Sequence, residues 1–291
     1  MTLEYEVVDV FTDRAFAGNP LAVVLGADDL ETEALQAIAQ EFNLSETAFP
    51  MAAAPDQHGD ADYRLRIFTP HQELPFAGHP SIGAAWVLAR RGVVAPGTVL
   101  QSCGAGVMTL EVAAEGGPVT LSGGAPTYGS AREATGLLVG LGLRQTDLAG
   151  VPRDASCGLG FTYLPVVADA LSRIEVDLPA LRRLGLGDAA FGGLSVFAWD
   201  GGAARCRVFA YEAGVAEDPA TGSAALGLGV YLVASRLVDG DGSTAYSVVQ
   251  GVEMGRPSRL DCVVTATRGE AVSTRVSGAV VPVATGTIRR P

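Results

Sequence analysis

Residues 79–85 read HPSIGAA and residues 218–224 read DPATGSA. Both follow the pattern X-Pro-x-x-Gly-(Ala/Ser)-Ala, and both open an apolar stretch: WVLAR after the first, ALGLGVYLVA after the second. The correspondence extends upstream, where RIF (66–68) leads into the first copy and RVF (207–209) into the second. The chain therefore reads as two related halves. Where the halves correspond, one carries His79 and the other Asp218. Two unlike proton carriers at equivalent places suggest an acid/base enzyme with its site between the halves.

A proline at the first helical position loses no hydrogen bond, so the pattern predicts His79 and Asp218 as N-caps. The amides that follow, Ser81 to Gly83 and Thr221 to Ser223, would then point out of the helix as anion cradles. The small residues Gly83, Ala84, Gly222, Ser223 and Ala224 would let a ligand approach the backbone. Asp218 has a plain alternative role, since aspartate is a favoured cap; histidine is a poorer one.

Outward from the two motifs, EYEVVDVF (4–11), PLAVVL (20–25), TAFPMAA (47–53) and YRLRIFT (63–69) read as strands. ETEALQAIAQEF (31–42) has helical spacing with acids in its first turn. The second half repeats the mixture, with FTYLPVVA, GGLSVFAWD, ARCRVFAYE and the C-terminal stretches as strands. Short strands around one apolar helix per half predict an α+β fold of two pseudo-symmetric lobes, each a curled, mostly antiparallel sheet around a central helix. The glycine-rich stretch EGGPVTLSGGAP (115–126) marks the division, giving lobes 1–118 and 119–291. The sequence leaves open whether the last strand returns to the first lobe.

Composition narrows the function. The chain has 291 residues, 48% of them hydrophobic and 18% charged, as suits a well-buried globular protein. The formal charge of −12 argues against nucleic-acid and anionic-membrane surfaces. The acidic start MTLEYEVVDVF lacks a basic n-region and points to a cytoplasmic protein. All 20 basic residues are arginines. Without lysine there is no Schiff base to a pyridoxal or a carbonyl substrate, and no Walker A loop. The four cysteines form no C-x-x-C, and His58, His71 and His79 form no metal motif, so no metal and no cofactor are expected.

A third proton carrier is Glu46 in NLSETAF (43–49). Spacing alone does not separate it from Glu73, Glu212 or Glu217. FAGNP (16–20) echoes FAGHP (76–80), which makes Asn19 either a substrate contact or a cap of its own loop.

On VDVFTDRAFAGNPLAVV, FNLSETAF, RIFTPHQELPFAGHPSIGAA, EDPATGSAA and MGRPS (254–258), the chain resembles the phenazine-biosynthesis PhzF-like isomerase family over essentially its whole length. The resemblance implies a diaminopimelate epimerase-like fold with Glu46 as principal proton carrier and His79 and Asp218 as its partners. It implies that Gly78, Gly222 and Ser223 bind substrate polar groups. It further implies a homodimer working without cofactor on a small anionic metabolite. Diaminopimelate epimerase uses two cysteines at the matching helix starts, and neither copy has one here, which excludes two-thiol chemistry. The reading is a cofactor-independent isomerase that moves a proton or double bond. A racemase or epimerase of a small acid, and a non-catalytic binding protein, are its alternatives.

Overall fold

A computed structural model describes residues 1–53, 61–185, 191–211 and 215–291. The chain forms two compact units, Met1–Ser122 with Ser277–Pro291 and Gly123–Val276.

The first unit runs β1 (Thr2–Val10), β2 (Asn19–Leu25), α1 (Thr32–Phe42), β3 (Glu46–Met51), β4 (Tyr63–Phe68), the two-residue β5 (Glu73–Leu74), α2 (Gly78–Arg90), β6 (Gly97–Cys103), β7 (Gly106–Val112) and β8 (Val119–Ser122). Strand β1 pairs antiparallel with β2, and β2 runs parallel to β3 with α1 as the crossover. Strand β3 is antiparallel to β4, and β4 to β5. The second parallel pair, β4 with β6, is joined across α2. β6, β7 and β8 then follow as antiparallel neighbours.

The second unit contains β9 (Pro126–Ala131), α3 (Ala134–Gly140), β10 (Arg153–Cys157), β11 (Gly160–Pro165), α4 (Leu178–Arg182), β12 (Phe191–Trp199), β13 (Ala203–Ala210), β14 (Val215–Asp218), α5 (Gly222–Ala234), β15 (Gly242–Gln250), β16 (Ser258–Thr267) and β17 (Glu270–Gly278), whose last two residues belong to the first unit. Its pairings repeat those of the first. β10–β11 is antiparallel, β11–β12 parallel, β12–β13 and β13–β14 antiparallel, β13–β15 parallel across α5, and β15–β16 antiparallel. The final strand, β18 (Val280–Arg289), pairs antiparallel with β1, as β9 pairs with β10. The duplication read from two short motifs thus extends to the order and sense of the strand pairings. The chain is α+β, with one enclosed helix per unit.

Enclosure explains the composition of α2 and α5. Every residue of α2 from Gly78 to Leu88, and of α5 from Gly222 to Val233, is buried. A helix surrounded on all sides has no polar face. Gly83 lets α2 approach the sheet, since a Cβ there would lie 2.5 Å from Leu21 Cδ2. The two tyrosine hydroxyls against α5 are satisfied by its first-turn carbonyls: Tyr163 donates to Ala224 O (2.7 Å) and Tyr246 to Ala225 O (2.7 Å). The far end of α2 is tied to β1 by Arg90 and Arg91, which donate to the buried carboxylate of Glu6 at 2.6 and 2.5 Å. Among the described residues no helix is long and apolar enough to cross a membrane.

Candidate active site

In the first unit the site grows from the parallel pair β2–β3. Their register sets Leu21 opposite Glu46, which brings Asn19, at the entrance of β2, beside Ser45. The turn before Asn19 requires glycine: Gly18 has φ +66°, and a Cβ would sit 2.3 Å from Val10 O. Asn19 is fully buried, and its Oδ1 accepts from Ser45 Oγ at 3.1 Å. The Asn19 amide also lies 3.3 Å, through Nδ2, from His79 Nδ1. His79 Nε2 lies 3.5 Å from Glu46 Oε2; a carboxylate can only accept, which puts the imidazole proton on Nε2 and leaves Nδ1 to accept from Asn19 Nδ2.

Burial pushes the pKa of His79 down to about 3. The cause is loss of water at a residue only 4% exposed. The contact is therefore a neutral N–H beside a carboxylate, not an ion pair. The unfolded chain binds a proton here near pH 6.5 and the folded one does not, so this group removes stability as pH falls below 6.5. Wild type should lose roughly 2 kcal/mol between pH 7 and 5 from this residue alone. Urea unfolding of wild type against His79→Gln at the two pH values measures it, and an equal pH slope in both would refute the neutral-histidine assignment.

In the second unit Asp218 ends β14 and is 9% exposed. Its Oδ2 accepts from Thr221 Oγ1 at 2.5 Å. Gln250 donates from Nε2 to Asp218 O (2.7 Å) and to Thr221 Oγ1 (2.9 Å), and accepts at Oε1 from Thr221 N–H (3.3 Å). Ser258 Oγ donates to Pro219 O at 2.8 Å.

These bonds correct the expected capping. Neither His79 nor Asp218 is an N-cap. Helix α2 starts one residue before His79, with Ala77 as its cap, because Ala77 O accepts from both the N–H and the Oγ of Ser81. Helix α5 starts only at Gly222, capped by Thr221, because Gln250 and Ser258 occupy the carbonyls of Asp218 and Pro219. The amides without an acceptor inside the helix shift accordingly, to Gly78 and His79 in one unit and to Gly222, Ser223 and Ala224 in the other. Ser81 points its hydroxyl inward, and Thr221 donates its hydroxyl to Asp218 and its N–H to Gln250.

The rival acids separate cleanly. Arg66 grips Glu73 through Nε and Nη2 at 2.8 and 2.6 Å, and Arg207 grips Glu217 in the same way at 2.9 and 2.7 Å. Each guanidinium also lies over a phenylalanine two residues on, 5.1 Å from the Phe68 ring and 5.3 Å from that of Phe209. Glu73 and Glu217 are thus held as structural partners. Glu212 and His58 lie outside the described residues, and His71 is exposed. Glu46 faces the buried histidine. Among the described residues, no three His, Cys, Asp or Glu side chains are grouped to hold a metal ion.

Ser45 and Gln250 escaped the sequence reading. Ser45 sits inside the SETAF motif, and Gln250 just precedes the MGRPS segment, but only strand register shows what each touches.

Residues 8–286 match the model of the PhzC-PhzF family, described as phenazine biosynthesis-like protein. The chain is 37% identical to the trans-2,3-dihydro-3-hydroxyanthranilate isomerase of Pseudomonas aeruginosa, over 94% of this chain and 92% of that one. It is 34% identical to an uncharacterised isomerase of Mesorhizobium japonicum, over 98% of each. The crystal structure of a PhzF-family phenazine biosynthesis protein from Bacillus anthracis superposes with a TM-score of 0.86 at 25% identity, covering 99% of both chains. Fold and relatives together define an enzyme of the isomerase class on a diaminopimelate epimerase-like α+β scaffold. The chain belongs to the PhzC-PhzF family of phenazine biosynthesis-like proteins.

Proposed function

We propose that this chain is a cofactor-independent isomerase that moves a proton, and with it a double bond, on a small carboxylated metabolite. The observation that carries the reading is the buried His79, its Nε2 3.5 Å from Glu46 Oε2 and its Nδ1 3.3 Å from the Asn19 amide, itself bonded to Ser45. A carboxylate beside a fixed N–H donor can take a proton from a carbon next to an unsaturated or carbonyl group and return it elsewhere. The second unit carries a carboxyl group of its own, Asp218, and the first-turn amides of each unit's enclosed helix, at Gly78 in one and at Gly222 and Ser223 in the other, suit a carboxylate. The working form is a homodimer, which sedimentation velocity decides.

The P. aeruginosa relative makes trans-2,3-dihydro-3-hydroxyanthranilate the first substrate to try. We expect turnover without added cofactor, a changed ultraviolet spectrum as the double bonds move, and a primary isotope effect on kcat when the migrating C–H is deuterated. Inversion of a stereocentre with the double bonds unmoved would assign an epimerase instead. A compound that binds and is recovered unchanged would overturn the proposal in favour of a binding protein.

A further inference from the structure

Strands β14 and β15 lie end to end along one edge of β13. Asp218 is opposite Val208, and Gln250 is opposite Cys206, two residues along the same strand. Positions two apart share a face of the sheet, which brings Gln250, itself 1% exposed, against the turn that follows Asp218.

The orientation of the Gln250 amide is unambiguous. Thr221 N–H can only donate, so it must face Oε1, and Asp218 O can only accept, so it must face Nε2. The second N–H of that amide then enters Thr221 Oγ1, which leaves the threonine proton to go to Asp218 Oδ2.

The first unit contains the same device with a different end. Tyr63 donates to Gln101 Oε1, Gln101 Nε2 donates to Ser81 Oγ, and Ser81 Oγ donates to the backbone at Ala77 O. Only in the second unit does the chain of donors end on a carboxylate.

We propose that Gln250 is a positioning residue for Asp218: its amide sets the direction of the Thr221 hydroxyl and so holds the Asp218 carboxylate as an acceptor in one orientation. The proposal rests on Asp218 being a proton carrier, but its test needs no substrate. An O–H donating to a carboxylate at this length is a strong, charge-assisted hydrogen bond. In perdeuterated protein back-exchanged into water, the Thr221 hydroxyl proton should appear by NMR as a slowly exchanging resonance downfield of the amides. It should persist in Thr221→Ser, vanish in Thr221→Val, be lost in the isosteric Gln250→Glu, and be untouched by Gln101→Glu.

Survival of the resonance in Gln250→Glu, or its absence from wild type, overturns the proposal. If Gln250→Glu does not fold, Gln250→Met takes its place. If neither folds, a nuclear Overhauser contact between the Thr221 hydroxyl proton and the Gln250 side-chain amide in wild type supports the proposal, and its absence overturns it. A resonance that behaves as expected in a protein inactive on every carboxylated substrate tried would indict the role of Asp218, not that of Gln250.

Discussion

Glu46→Gln should lower kcat on the isomerised substrate by roughly 100- to 10,000-fold, the usual contribution of a positioned acid/base group. The substitution keeps shape and hydrogen-bonding capacity, so the circular dichroism and unfolding midpoint should stay near wild type. What disappears is the ability to take up and release a proton beside His79 Nε2, 3.5 Å away. Glu73→Gln is the matched control, because that carboxylate already accepts two hydrogen bonds from Arg66. Steady-state kinetics on the two variants separates the cases. Full activity in Glu46→Gln would remove Glu46 from the chemistry. An equal loss in both would mean that the defect is structural.

The largest expected effect on stability is at Arg207. The residue is 8% exposed, and its guanidinium pairs with Glu217 through two nitrogens and donates from Nη1 to Leu171 O and Ile174 O. The Glu217 carboxylate raises the Arg207 pKa further above its already high value, so the guanidinium stays charged at any working pH. Arg207→Met should cost about 3–5 kcal/mol in urea unfolding, because it strands a half-buried carboxylate. Adding Glu217→Met should recover the part due to that charge. It should leave the part due to the two carbonyls that have lost their donor. A single-variant cost below about 1 kcal/mol would show the pair to be no better than a surface salt bridge.

Legibility in the sequence followed the range of the interactions. Helices α2 and α5 could be read because enclosure leaves a local mark, an apolar run with small residues. The duplication could be read because HPSIGAA and DPATGSA keep their order and spacing. The helix starts could not, since the carbonyls that delay α5 are taken by Gln250 and Ser258, which lie far along the chain. Glu46 was one glutamate among four by spacing; family resemblance singled it out, and the arginine grips on Glu73 and Glu217 supply the physical reason to set those two aside. The neutral state of His79 was not legible at all, because it follows from burial and from an asparagine 60 positions earlier.

The return of β18 to β1 has a consequence for how the protein is made. A ribosome delivers β1 before its neighbour β18, which follows only after the whole of the second unit has emerged. Until then β1 offers an open edge, the kind of surface that recruits strands from other chains. The nascent first unit can close only after residues 277–291 have followed the whole of the second unit, while the second has every strand it needs to Val276 in one uninterrupted stretch.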